Sequence, residues 1–372
     1  MRIAIFHNFM DNIGGAEKFV LSLAKELNAD IYTTNFDMDK IKKMGFFGAN
    51  IMSIGKVPIN APFRQQLALW RFRRLNLGRK YNFYIIGGDW AVSGAVNHRP
   101  NLWYVHSPVR EMWDLYKYTR KNMVVWHKRL FFDIWVLFNR LLYRKYVEFT
   151  DEIMCNSQNV QKRVKKYLKR DSIVGYTLLE TKNYKYKRNG DYWLSVNRLI
   201  GHKRVDLQIK AFEKLPNEKL IIVGSYEKAK HFLEYANYIK SIKPKNVEIR
   251  SWVDDKELIE LYSNCKGFIT TARDEDLGFT PIESMASGKP VIAPNEGGYK
   301  ETVINGKTGI LIDDINIDKL VESVKKVNDE LRKNPLKYKN ACIKQAKKFG
   351  KEVFAKRIKG LIDEIKNENF ND

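Results

Sequence analysis

The segment DEDLGFTPIESMASGKPVIAPNEGGYKETVINGKTGILID, residues 274–313, holds the densest set of side chains able to do chemistry in this chain. Two carboxylates, Glu275 and Glu283, stand with seven residues between them around a turn at Gly278, and Pro281 marks a helix start. A Gly-Lys-Pro stop at 288–290, a strand and a Gly297-Gly298 turn follow. The pattern predicts Glu283 in the first turn of its helix, where a ligand phosphate or hydroxyl would meet free backbone N–H groups. A second glycine pair, Gly14-Gly15, separates a predicted strand from a predicted helix. Glycine there lets the backbone approach a phosphate or a sugar that a Cβ would block.

Charge bears on the partner. The 372 residues carry 66 Lys+Arg against 43 Asp+Glu, a net +23, and residues 51–150 alone hold 17 basic and 5 acidic side chains. Such asymmetry asks for an anionic partner beside the N-terminal half. Nucleic acid would satisfy the charge, but the cations form no recognised module and the glutamates would repel a phosphate backbone. Cys155, Cys265 and Cys342 are far apart and without a CxxC partner, which excludes a zinc ribbon or disulfide scaffold and suits a reducing cytoplasm. Asp37-Met-Asp39 resembles a metal-binding DxD only superficially, and no essential metal is expected. No stretch reaches 18 uncharged apolar residues and the first residues lack a cleavage signal, so a chain neither translocated nor spanning a membrane is expected.

The elements that must position these residues read as two successive α/β series. RIAIFHN predicts a buried strand, Ala16–Leu27 a helix with Phe19, Val20, Leu23 and Leu27 at helical spacing, and Asp30–Thr34, Phe83–Gly87, LWYVHSP and DEIMCNS further strands. Residues 112–146 form a basic, aromatic-rich helical region. TKNYKYKRNGDY is polar and aperiodic and is read as the domain linker. After it come WLSVNRL, VDLQIKAFEKL, KLIIVG, a charged helix near 227–242, VEIRSWV, DKELIELYSNC, GFITTA, PVIAP and TGILID. The expected fold is α/β, with Rossmann-like domains at 1–182 and 183–350 and a helix at 351–372.

Taken in order, these motifs resemble the retaining GT-B glycosyltransferases, specifically glycosyltransferase family 4, across nearly the whole chain. The resemblance implies that the first domain binds an acceptor, that the second binds a nucleotide-sugar, and that the helix at 351–372 returns to the first. It implies too that Glu283 holds the ribose hydroxyls of a nucleotide-sugar donor and that Glu275 contacts the transferred sugar. A carboxylate can accept two vicinal hydroxyls and stabilise positive charge at an anomeric carbon. In SVNRLIGHKRVDL, Arg198 and Lys203 match the family's two diphosphate-binding cations, able to meet the charge that a metal would otherwise neutralise. Gly14-Gly15 and Gly297-Gly298 match loops packing near donor and sugar; Glu301 matches a glutamate to which no role is given. His106, in LWYVHSPVREMWDLY, matches a histidine lining the site, able to hydrogen-bond a sugar hydroxyl or help the acceptor lose its proton. Leu277 stands where the family commonly has Phe, a change of packing rather than chemistry.

The implied function is retaining, metal-independent hexosyl transfer. VREMWDLY resembles the branch that uses GDP-mannose, so mannose is the expected sugar; a UDP-sugar donor, or a nucleotide-sugar epimerase of the same fold, are the alternatives. Arg64, Arg71, Arg73 and Arg74 with Trp70 and Phe72, together with residues 112–146, would suit an anionic membrane surface and a polyprenyl-phosphate-linked or phospholipid acceptor on its cytoplasmic side. The same residues also fit an ordinary core with solvated cations, since Trp126, Leu130, Ile134 and Leu137 keep helical spacing.

Overall fold

The computed structural model describes residues 1–11, 14–59, 63–225, 230–251 and 253–370. Asn12 and Ile13 of the first glycine loop, the start of the helix expected near 227, and Trp252 lie outside these. The chain divides into two units, Met1–Leu178 with Phe354–Asp372, and Leu179–Val353. These divisions fall a few residues from the positions 182 and 350 read in the sequence.

The first unit is built on a seven-stranded parallel sheet. Its strands are β1 (Ile3–Phe6), β2 (Asp30–Thr33), β3 (Ile51–Ser53), β4 (Phe83–Ile86), β5 (Asn101–Val105), β6 (Glu152–Cys155) and β7 (Ile173–Val174), in the order β3-β2-β1-β4-β5-β6-β7. Alternation of side chains sorts each strand between two apolar layers. Ala4, Phe6, Tyr84, Ile86, Trp103 and Val105 join one, with Phe72 and Tyr143 from helices; Ile3, Ile5, Phe83, Ile85, Leu102 and Tyr104 join the other. The second layer is closed by the helix Lys351–Phe370, whose Phe354, Ile358, Leu361, Ile362 and Ile365 repeat at helical spacing and are buried. Lys359 adds an ion pair with Glu26 at 2.7 Å.

Residues 112–146 form several pieces instead of one. Helix Tyr116–Asn122 and a short turn at Trp126–Lys128 precede the long helix Arg129–Val147. The long helix buries Val136, Asn139, Tyr143 and Val147. Trp126, Leu130, Ile134 and Leu137, whose spacing equally suits a core face, are exposed.

The second unit has six parallel strands, β8 (Tyr192–Arg198), β9 (Lys219–Ser225), β10 (Val247–Arg250), β11 (Gly267–Ile269), β12 (Val291–Pro294) and β13 (Gly309–Ile312), in the order β10-β9-β8-β11-β12-β13. Most of their apolar residues are buried, among them Trp193, Leu194, Phe268 and Ile292, as expected of a sheet covered on both faces.

Candidate functional site

Strand order alone locates a binding position in the second unit. From β8 the chain winds outward to β9 and β10, then crosses back to β11 and winds the other way through β12 and β13. In such sheets ligands bind beyond the carboxyl ends of the strands, at the place where the winding direction reverses. Arg198 and Lys203 follow β8, Glu275, Gly278 and Glu283 follow β11, and Gly297 and Gly298 follow β12. Seven of the ten sequence-predicted site residues therefore emerge from three adjacent strand ends.

Lys203 Nζ donates to a Glu275 carboxylate oxygen, and neither side chain is fully buried. The loop under Lys203 is fixed by Thr271, whose hydroxyl lies 2.8 Å and 2.9 Å from the carbonyls of Lys203 and Arg204, and by Gln208, which donates to that hydroxyl at 2.8 Å. Arg204 has a left-handed backbone, φ +49°, and its guanidinium reaches the Thr271 carbonyl at 2.6 Å and Glu296 at 3.0 Å. Glu296 also accepts the Asp274 amide at 3.0 Å. The loop after β8, the loop after β11 and the turn after β12 are thus tied together beneath the Lys203–Glu275 pair.

Gly297 and Gly298 serve that packing directly. Gly297 has φ +53°, and a Cβ on it would lie 2.5 Å from the Glu275 carbonyl; one on Gly298 would lie 2.4 Å from the Asp276 carbonyl. The Gly298 amide donates to the Glu275 carbonyl at 2.8 Å. Only glycine lets the turn close on the backbone that carries Glu275. Gly278, at φ +86°, starts the helix Phe279–Ala286. That helix begins two residues before Pro281, so Glu283 stands in its second turn, a correction to the first-turn placement read from the proline. Proline is tolerated within the first turn because the N–H it lacks has no intrahelical partner there.

Glu283 is held by two phenols. Tyr262 donates to its carboxylate at 2.7 Å, and Tyr184 hydrogen-bonds the same side chain. The two rings meet edge to face, 5.8 Å between centroids. Burial, then the Glu283 charge, holds both hydroxyls well above the ordinary tyrosine range, so they act as donors. Arg198 ends β8 on an exposed position, its backbone paired with Ser225.

The remaining three predicted residues belong to the first unit, whose winding reverses between β1 and β4. Gly14 caps the helix Gly15–Leu27 with φ −110°, a conformation open to any residue. Its amide donates to Glu17 at 2.7 Å, while Glu17 meets His7 Nε2 at 3.3 Å and His7 Nδ1 faces the Gly87 carbonyl at 3.2 Å. Burial raises the Glu17 pKa, and the His7 and Gly14 contacts outweigh it, leaving the group below the usual glutamate value. His106 follows β5, half-buried, its ring edge-on to Phe19 and Tyr104 at 5.0 Å each. The next residue, Ser107, accepts from the buried Arg163 at 2.9 Å. Asp37 caps the short helix Met38–Lys43, accepting the Lys40 amide at 3.1 Å. Among the described residues, no group of three His, Cys, Asp or Glu side chains is placed to share a metal ion.

Comparison with known proteins adds relatives and a fold. Residues 180–349 match the family model described as Glycosyl transferases group 1. The match covers a little less than half of the chain. It spans nearly all of the second unit and contains every site residue placed there. An uncharacterized glycosyltransferase of Methanocaldococcus jannaschii is 28% identical, over 54% of this chain and 58% of its own length. The alpha-1,3/1,6-mannosyltransferase of Dictyostelium discoideum is 25% identical, over 98% of each chain. The crystal structure of Anabaena HepE in complex with UDP and glucose superposes with a TM-score of 0.77 at 17% identity, over 97% of this chain and 99% of that one. The two parallel-sheet Rossmann-like units are those of the GT-B fold.

Within the second unit, sequence reasoning passes over Arg204, Thr271, Glu296, Tyr262 and Tyr184. Tyr184 lies inside the stretch read as a linker, where three tyrosines among lysines and polar residues give no periodic signal. Arg204 directly follows Lys203 and has no separate signal in a basic run.

Proposed function

We propose that the chain is a mannosyltransferase. It takes mannose from a nucleotide-sugar donor, GDP-mannose by preference, and passes it to a glycan or lipid-linked acceptor at the cytoplasmic face of a membrane. The observation that carries the reading is the gathering of two cations and two carboxylates around the strand ends at which the winding of the domain reverses. The mannosyltransferase of Dictyostelium supports the sugar; the UDP complex of HepE keeps a UDP-sugar as the second reading.

In this reading Glu283, oriented by Tyr262 and Tyr184, accepts the ribose hydroxyls. Arg198 and Lys203 bind the diphosphate, so no metal is required. The bond between the anomeric carbon and the diphosphate oxygen breaks, its electron pair leaves on the phosphate, and the two cations meet the growing charge. The acceptor hydroxyl attacks on the face the phosphate has left and gives its proton to that phosphate oxygen, so the anomeric configuration is retained. Glu275 contacts the sugar and stabilises positive charge at its anomeric carbon. His106 and the Gly14-Gly15 loop are assigned to sugar and acceptor.

Calorimetric titration with GDP, UDP and ADP tests the reading, with Glu283→Ala as control. GDP binding that disappears in the variant supports it. Preference for UDP moves the assignment to a UDP-sugar, and absence of binding to all three removes it. Nuclear magnetic resonance of the first product formed distinguishes retention from inversion.

A further inference from the structure

The helix Arg129–Val147 turns a second apolar face away from its own core. Leu130, Ile134, Leu137 and Leu141 recur at helical spacing on the side opposite Val136, Asn139 and Tyr143, and Trp126 continues the line beyond the first turn. These five, with Phe131 and Phe138 beside them, are between 58% and 78% exposed. Contiguous exposure of this kind marks an interaction surface, whereas scattered apolar residues do not. Gln66 of the helix Arg64–Arg74 hydrogen-bonds Asn139 at 3.3 Å, which brings that helix alongside. It carries Trp70, half exposed, with Arg74 stacked over its ring at 4.8 Å.

The charge around the stripe decides the occupant. Between Tyr116 and Val147 there are eight Lys and Arg and a single acid, Asp133, and Asp133 is already paired with Arg120 at 2.8 Å and accepts the Tyr116 hydroxyl at 2.6 Å. Lys117, Lys121, Lys128 and Lys145 are exposed. An apolar stripe with tryptophan and phenylalanine, bordered by eight cations and one ion-paired acid, matches the layered chemistry of an anionic bilayer: acyl chains below, phosphate headgroups at the rim. A second copy of the chain would set like charges against one another. Among the described residues no helix is long and apolar enough to cross a membrane.

We infer that the Trp126–Leu141 face is a docking surface that lies in the headgroup layer of an anionic membrane, with the helix parallel to it. This deepens the proposed reading by naming the surface that holds the chain beside a lipid-linked acceptor. Sedimentation of the full chain with phosphatidylcholine vesicles, with and without about 30% phosphatidylglycerol, tests it. The expected result is binding to the anionic vesicles, several-fold weaker binding to neutral ones, and a loss of about tenfold or more in the Ile134→Glu/Leu137→Glu variant. Both positions are exposed, so the fold is expected to persist, checked by circular dichroism. Equal binding by the variant, or binding to neither vesicle, overturns the inference. So does a lipid-free dimer that the variant dissolves, because the face would then serve a second copy. Nucleotide titration of the same variant is independent of the vesicles, so failure of the donor assignment is recognised separately.

Discussion

Glu283 is useful to a sugar ligand only if its carboxylate is aimed, and the aim comes from Tyr262 and Tyr184. Because both phenols are donors and both face the same carboxylate, removing one hydroxyl leaves the charge in place but loosens its orientation. A hydrogen bond to a charged group contributes about 1.5–3 kcal/mol. Tyr262→Phe is therefore expected to weaken nucleotide binding by roughly tenfold or more and to lower the melting temperature by several degrees, as read by calorimetric titration and thermal melting; unchanged affinity would refute the orienting role. Glu17 invites a pH experiment. Its pKa is lowered in the folded protein from the ordinary 4.5. A lowered carboxylate adds stability that is fully present above the unfolded value and is lost as pH falls through the folded one. Glu17→Gln should thus be less stable than the parent at pH 7, by about 1–2 kcal/mol, with the gap closing below pH 4.5. Urea unfolding at pH 7 and at lower pH measures it, and a gap that stays constant would contradict the assignment.

At the scale of elements, the positioning of Glu275 depends on two loops closing on each other. A Cβ at Gly298 would stand 2.4 Å from one backbone atom and 2.6 Å from another, and backbone cannot yield as a flexible side chain can. Gly298→Ala is expected to cost about 1–3 kcal/mol in urea unfolding and to displace the Glu275 loop. Nucleotide-sugar binding should then fall more than binding of the nucleotide alone, a difference that titration with both ligands resolves. This region was legible in the sequence because Gly278, Pro281, Gly288 and the Gly297-Gly298 pair are local signals, each tied to a turn or a helix end. Tyr184 and Tyr262 were not, because they lie far apart in the chain and meet only at Glu283. Helical periodicity failed differently in the Arg129–Val147 helix. The spacing of Leu130, Ile134 and Leu137 reports that they share a face, and nothing in the spacing says whether that face is covered. Tyr143 and Asn139 occupy the inward side, and the leucines are left outside.

For the whole molecule, the C-terminal helix matters most. The chain leaves the first unit at Leu178 and re-enters it at Phe354, so the helix Lys351–Phe370 completes the core of the first unit. Ile358 is fully buried there, in the layer with Phe19 and Tyr104. Truncating such a side chain to alanine removes transfer energy and leaves a cavity, at a cost of about 2–5 kcal/mol. The residues proposed to hold the donor, Arg198, Lys203, Glu275 and Glu283, all stand in Leu179–Val353, on a separate sheet with its own buried side chains. Ile358→Ala should therefore lower the thermal transition of the first unit while nucleotide affinity, and the stabilisation that nucleotide confers on the second, stay as in the parent. Differential scanning calorimetry with and without nucleotide separates the two effects. Were affinity to fall in step with stability, the donor site would depend on the first unit's core, and its assignment to the strand ends of the second unit alone would be wrong.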